Sequence, residues 1–181
     1  MISIKTERLT LIPLDHSLLE CWFKFGRKEL EVNLELNPNV FQLEVFYENE
    51  MLHALEHFWM PMTKKFPFDF MWYTNWEIIL TNKSCSIGGI GFSGMPDDQG
   101  STEIGYALDQ KYRGYGYAKE AVNGLINWAF QDADLKFIRA ETPCDNLKSQ
   151  SVLVGNQFNQ VGQKTIYCPD ALDVFTWERH R

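Results

Sequence analysis

The chain has 181 residues, 45% of them hydrophobic and 14% aromatic. That is enough for one core to bury roughly 70% of the surface an unfolded chain exposes, so residues 1–181 read as a single domain. A net charge of −7 at pH 7 argues against the basic stripe of a nucleic-acid binder. No stretch approaches the ~20 apolar residues that span a bilayer. Residues 1–8 carry charges where a secretory signal needs its apolar region, and Cys21, Cys85, Cys144 and Cys168 form no C-x-x-C pair. The expectation is a cytoplasmic protein with free thiols, neither membrane-bound nor metal-dependent, as a monomer or homodimer.

Glu7 to Leu14 alternates Leu9, Leu11 and Pro13 with polar neighbours, which predicts a first strand. A helix near His16 to Lys28 follows, then an Asn37-Pro38-Asn39 turn and a second helix near Leu43 to Met62 striped by Tyr47, Met51, Leu55, Phe58 and Met62. From Glu29 to Thr63 the glutamates at 29, 31, 35, 44, 48, 50 and 56 meet no Lys or Arg. They suit either a solvated helical face or an acidic patch that draws in a cationic amine. Within this helix His53-Ala54-Leu55-Glu56-His57 spells H-x-x-E-H, but a zinc site needs a third ligand, and the apolar stripe already explains the helix. The aromatics Phe58, Trp59, Phe66, Phe68, Phe70, Trp72, Tyr73 and Trp76 are mostly core material, with Trp72 and Tyr73 placed at an acceptor cleft.

Trp76 to Leu80, Ser86 to Ser93 and Thr102 to Leu108 read as an antiparallel meander of three strands. On the last, Ile104, Tyr106 and Leu108 share one face, while Glu103, Gly105 and Ala107 leave the other nearly bare. A long helix then carries Ala118, Ala121, Val122, Leu125, Ile126, Ala129 and Phe130 at helical spacing. A strand near Phe137 to Thr142, a helix from about Asn146, and strands near Lys164 to Cys168 and Asp173 to Arg179 close the chain. The pattern alone gives an α+β (mixed α/β) fold with a central sheet.

Between the third meander strand and the long helix stands Tyr112-Arg113-Gly114-Tyr115-Gly116-Tyr117-Ala118. Two glycines let the backbone turn tightly toward a ligand, and the helix start aims unpaired N–H groups at the same place, which makes a phosphate cradle. The run spells neither G-x-G-x-x-G, since Lys119 stands at the sixth position, nor the P-loop G-x-x-x-x-G-K. It does fit Q/R-x-x-G-x-G/A as Arg113-x-x-Gly116-x-Ala118. With Glu103-Ile104-Gly105-Tyr106 upstream and Glu120-Ala121 downstream, the chain resembles the GNAT superfamily of acyl-CoA-dependent N-acetyltransferases, in its RimJ/RimL-like branch.

The resemblance implies a mostly antiparallel sheet of about seven strands, splayed between the fourth and fifth and flanked by about four helices. It also implies acetyl-CoA as co-substrate and a primary amine as acceptor, either a peptide N-terminus or a small molecule. Backbone groups of Tyr106, Ala107 and Leu108 would bind the pantetheine arm. The diphosphate would meet Arg113, Gly114, Tyr115, Gly116, Tyr117 and Ala118, with Lys119 adding charge, and Asn146 would hydrogen-bond the pantetheine. Glu103 is the candidate base, against a plain reading as an exposed strand-edge carboxylate. The tyrosine that often protonates the departing thiolate is Leu153 here, and the usual Gly-Phe after the helix is Gln157-Phe158. Ser149 is the nearest hydroxyl to serve as acid, and it suits a helix cap or a packing role equally well. A non-catalytic acyl-CoA-binding domain is the alternative.

Overall fold

Alternating apolar residues build the sheet. In the structure, a computed structural model that describes residues 2–167 and 171–181, β1 (Ile4–Lys5) and β2 (Leu9–Pro13) pair at one edge, and β2 buries Leu9, Leu11 and Pro13. After α1 (His16–Phe25), α2 (Arg27–Asn33), α3 (Val45–Ala54) and α4 (Met60–Lys65) come β3 (Asn75–Leu80), β4 (Cys85–Phe92) and β5 (Ser101–Leu108). Then follow α5 (Tyr117–Ala129), β6 (Phe137–Pro143), α6 (Leu147–Gly155), β7 (Asn159–Tyr167) and β8 (Ala171–His180). The described strands form one sheet in the order β1-β2-β3-β4-β5-β6-β8-β7. Among them β5 and β6 are the parallel pair and all other neighbours run antiparallel.

Four differences from the sequence expectations have local causes. The expected helix from His16 to Lys28 breaks at Gly26, which takes φ 84° and serves as C-cap of α1 and N-cap of α2. The expected helix from Leu43 to Met62 begins two residues later and passes from α3 through a π-helical turn (Leu55–Trp59) into α4. Pro61, which lacks an N–H, sits just past that turn and cannot donate to the His57 carbonyl, so the regular ladder is interrupted there. The short β1 makes the strand count eight rather than about seven. Finally, β7 begins at Asn159: Asn159, Gln160 and Gln163 are polar and exposed and pair with β8 without burying a face, so no alternation marks them. The Cys168 end of that expected strand lies outside the described residues.

Two apolar clusters flank the sheet. The buried stripe of α5 (Ala121, Val122, Leu125, Ile126, Ala129) joins Leu9, Leu11, Trp76, Ile78, Ile90, Ile104, Leu108 and Leu153. Leu14, Leu19, Trp22, Leu30, Leu34 and Leu55 form the second, where α1, α2 and the π turn meet. Burying one such side chain fully contributes about 1.5–3 kcal/mol.

Candidate active site

The sheet opens where β5 meets β6. Ser101, Thr102 and Glu103 pair with Phe137, Ile138 and Arg139, and there the pairing ends. From Ile104 to Leu108, β5 stays bonded to β4 and leaves β6. The freed edge carries backbone N–H and C=O groups able to pair with an extended ligand as a strand would. A Cβ on Gly105 would meet nothing within 4 Å, so the sheet face beside this edge is open. The splay expected between the fourth and fifth strands is therefore present, between β5 and β6 once β1 is counted.

Glu103 stands at the opening. Solvent reaches its side chain, yet the surrounding protein desolvates the carboxyl and the Glu141 charge repels it, so its pKa is raised above 4.5 against the opposing pull of Lys164 and Arg139. Arg139 faces Glu103 in the β5–β6 register, and Lys164 Nζ lies 2.5 Å from Glu141 Oε1. A carboxylate with a raised pKa beside an open gap is equipped to accept a proton. These neighbours did not emerge from the sequence reading, although β6 alternation places Arg139 and Glu141 on one face.

At the other end of β5 lies the glycine loop. Gly114 and Gly116 hold φ of 85° and 82°, a region glycine occupies without strain, and Gly116 caps α5. Among the described residues the N–H groups of Gly114, Tyr115 and Gly116 meet no acceptor, and a Cβ on Gly114 would find nothing within 4 Å. The loop is held from outside by groups the motif does not contain. Arg8 Nε donates to Glu120 (2.7 Å), its Nη1 donates to the Tyr115 carbonyl (3.0 Å), and its guanidinium lies 4.6 Å from the Tyr117 ring centre. Arg113 is occupied internally: Nε donates to the Leu108 carbonyl (2.9 Å) and both terminal nitrogens engage the Glu44 carboxylate. That guanidinium braces the loop, leaving anion contact to the backbone. Lys119 is exposed and extends its side chain along Gly155 of α6.

The start of α6 lines the gap. Asn146 caps it, with Oδ1 accepting from Ser149 N–H (3.0 Å), while its Nδ2 donates to the Tyr47 hydroxyl (3.1 Å). The Ser149 hydroxyl lies 2.9 Å from the Tyr106 hydroxyl, whose pKa burial pushes up to about 12. The Tyr106 phenol thus ties β5 to the start of α6. Leu153 is fully buried in the main cluster, so its position holds a packing residue.

The glutamate-rich stretch does not form one patch. Glu31 is buried and accepts from the Asn39 N–H, Glu44 is bound to Arg113, and Glu48 and Glu56 border a groove of about 400 Å³ with Trp22, Phe23, Met51 and Leu52. Trp72, expected at the acceptor cleft, is a core residue with its ring 4.9 Å from Trp128 and 5.2 Å from Phe92. A run of aromatics does not reveal which ring faces inward. Tyr73 is half-buried and stacks on Phe66 at 4.8 Å. It packs beside Gly94, next to Ser93, whose N–H donates to the Glu103 carbonyl (2.9 Å). The His53 and His57 rings lie 4.5 Å apart, tilted by 58°, and among the described residues no three His, Cys, Asp or Glu side chains gather to hold a metal. No described helix is long and apolar enough to cross a membrane.

A strand edge freed beside a carboxylate and leading to a glycine loop with unpaired N–H groups is a candidate site for an extended ligand, and comparison with known proteins gives the class. Residues 8–159 match the family model for the acetyltransferase (GNAT) domain, so the chain belongs to the GNAT family. It is 31% identical over 157 residues to the uncharacterized N-acetyltransferase YjdG of Bacillus subtilis (strain 168), spanning 84% of this chain and 87% of that one. The fold matches ribosomal-protein-S5-alanine acetyltransferase of Vibrio fischeri with TM-score 0.69 at 19% identity, over 99% and 97% of the two chains. It matches RimL, a ribosomal L7/L12 α-N-protein acetyltransferase solved with coenzyme A, with TM-score 0.67 at 17% identity, over 99% and 98%. The protein is an acetyl-CoA-dependent N-acetyltransferase.

Proposed function

We propose that acetyl-CoA lies in the β5–β6 gap and that Glu103 deprotonates a primary amine for direct attack on the thioester. The observation that carries this is the end of strand pairing at Glu103, with the freed edge of β5 leading to the glycine loop. Backbone groups of Tyr106, Ala107 and Leu108 pair with the pantetheine arm, and the N–H groups of Gly114 to Ala118 receive the diphosphate, with Lys119 adding charge. Asn146 has a second amide N–H beyond the one given to Tyr47, and that one serves the pantetheine. Ser149 donates to the departing sulfur.

The acceptor is a peptide or protein N-terminus or a small primary amine. Enzymes with this fold that act on ribosomal proteins support assignment to a RimJ/RimL-like branch. The chemistry agrees: an α-amino group with pKa near 8 is about 10% neutral at pH 7, so a base with a raised pKa suffices. Residues 1–181 act as one domain in the cytoplasm.

The test is thiol release from acetyl-CoA against a panel of N-terminal peptides, polyamines and amino acids. Release with an α-amine is expected. Binding of acetyl-CoA without release to any amine would leave a non-catalytic acyl-CoA binder. Gly116→Val forces a β-branched residue to φ 82° and sets its Cβ 3.4 Å from Arg8 Nη2, which disturbs the loop and should weaken acetyl-CoA binding at least tenfold by calorimetry; the milder Gly114→Ala should weaken it less. Unchanged affinity in the folded variants would remove the loop from the site.

A further inference from the structure

The tyrosine expected in α6 to assist the leaving thiolate is replaced by buried Leu153, but a phenol reaches the same helix from the opposite wall. Tyr106 Oη lies 2.9 Å from Ser149 Oγ and 3.2 Å from the Ser149 carbonyl. Either hydroxyl can donate in the shorter contact, and the phenol O–H can also reach the carbonyl, whose other lone pair serves the α6 ladder. Tyr106 is otherwise packed against the main apolar cluster, which fixes its ring. A serine hydroxyl alone rotates freely among three staggered positions.

We propose that Tyr106 is a positioning residue that donates to Ser149 Oγ and thereby aims the Ser149 O–H at the sulfur leaving the thioester. This rests on the reading that acetyl-CoA occupies the β5–β6 gap. In the reaction the amine nitrogen forms the C–N bond, its proton passes to Glu103, and the C–S bond breaks with its electron pair on sulfur. Ser149 stabilises that thiolate by a hydrogen bond while Tyr106 stabilises the serine oxygen. Both hydroxyls keep their protons: a phenol with pKa about 12 and an alkanol are weaker acids than an alkyl thiol, so the sulfur takes its proton from solvent. The role is electrostatic, with the donor in place before charge develops.

The test uses free coenzyme A, which carries the same sulfur and needs no acceptor. The ultraviolet absorbance of the thiolate, followed against pH, gives the pKa of the bound thiol. In the wild type it should lie below that of free coenzyme A titrated in the same buffer. Tyr106→Phe should return it upward by about one unit, a tenfold loss in thiolate fraction, and lower kcat about tenfold, with coenzyme A affinity unchanged at low pH, where the bound thiol is protonated. Ser149→Ala should abolish the depression, and adding Tyr106→Phe to it should change nothing further. A bound thiol pKa equal in Tyr106→Phe and wild type would overturn the proposal. So would a depression that survives Ser149→Ala, a measurement that also serves if Tyr106→Phe fails to fold. Failure of coenzyme A to bind the wild type would instead strike the reading of the gap itself.

Discussion

Glu103 answers to two demands that oppose each other. As a base it must be ionised when the amine arrives, yet its surroundings and Glu141 disfavour the ionised form. Glu103→Gln should lower kcat/KM by roughly 10² to 10⁴, with acetyl-CoA affinity nearly intact. The deficit should shrink as pH rises toward the amine's own pKa, where neutral nucleophile arrives unaided. The same substitution should raise thermal stability. A carboxyl whose folded pKa exceeds its unfolded one costs stability above the folded pKa and nothing well below 4.5. Glu103→Gln should therefore melt higher than wild type at pH 7, and the two curves should converge as pH falls through the carboxylate range. A variant that loses activity and also melts lower at pH 7 would mean that Glu103 is a structural partner of Arg139 and Lys164 rather than a strained base.

At the scale of elements, the start of α3 is fastened to the glycine loop by Glu44 and Arg113, and to α6 by Tyr47 and Asn146. The Arg113 guanidinium holds the Glu44 carboxyl at a pKa of about 2. With the folded pKa below the unfolded one, the contribution is present above about 4.5 and is lost as pH falls toward 2. The pair is partly exposed, so its worth is at most about 1 kcal/mol. Glu44→Gln should lower Tm by about 2–4 °C at pH 7, with the gap to wild type narrowing below pH 4 in calorimetric melts. A deficit that persists unchanged at pH 2.5 would assign the loss to packing. These fastenings join residues 69 and 99 positions apart, a separation that no local pattern encodes. The glycine loop was legible because a positive φ at 114 and 116 calls for glycine in the sequence itself. The α5 stripe was legible because one face of a helix is buried along its whole length. Gly26 was not read as a break because periodic residues continue on both sides of it. The Tyr106 phenol went unread because alternation gives a side chain's face but not its partner.

Across the whole molecule, the helical layer of α1 to α4 is joined to the sheet by buried charge as well as by apolar contact. Arg27, first residue of α2, donates to Glu77 of β3 (2.6 Å) and to Ser86 of β4 (3.0 Å), and its guanidinium lies 3.8 Å from the Phe41 ring centre. Glu77 is 1% exposed and also accepts from Asn75 Nδ2 (2.9 Å). Its register partner is Gly89, which in turn faces Ala107 of β5, so the joint lies two strands from the open edge. Taking both charges out of water is costly, and the pair is tolerable because each finds several partners. Removing one partner strands the other: Glu77→Ala should cost about 3–5 kcal/mol in urea unfolding, a large part of the ~5–15 kcal/mol that holds a domain of this kind folded. Replacing both ends by apolar residues, Arg27→Met with Glu77→Leu, leaves no orphaned charge and should recover most of that loss. The coupling between the two sites separates this account from simple cavity formation. If the double variant is no more stable than Glu77→Ala alone, the stability comes from packing around Glu77 and the ion pair is not what joins the layers.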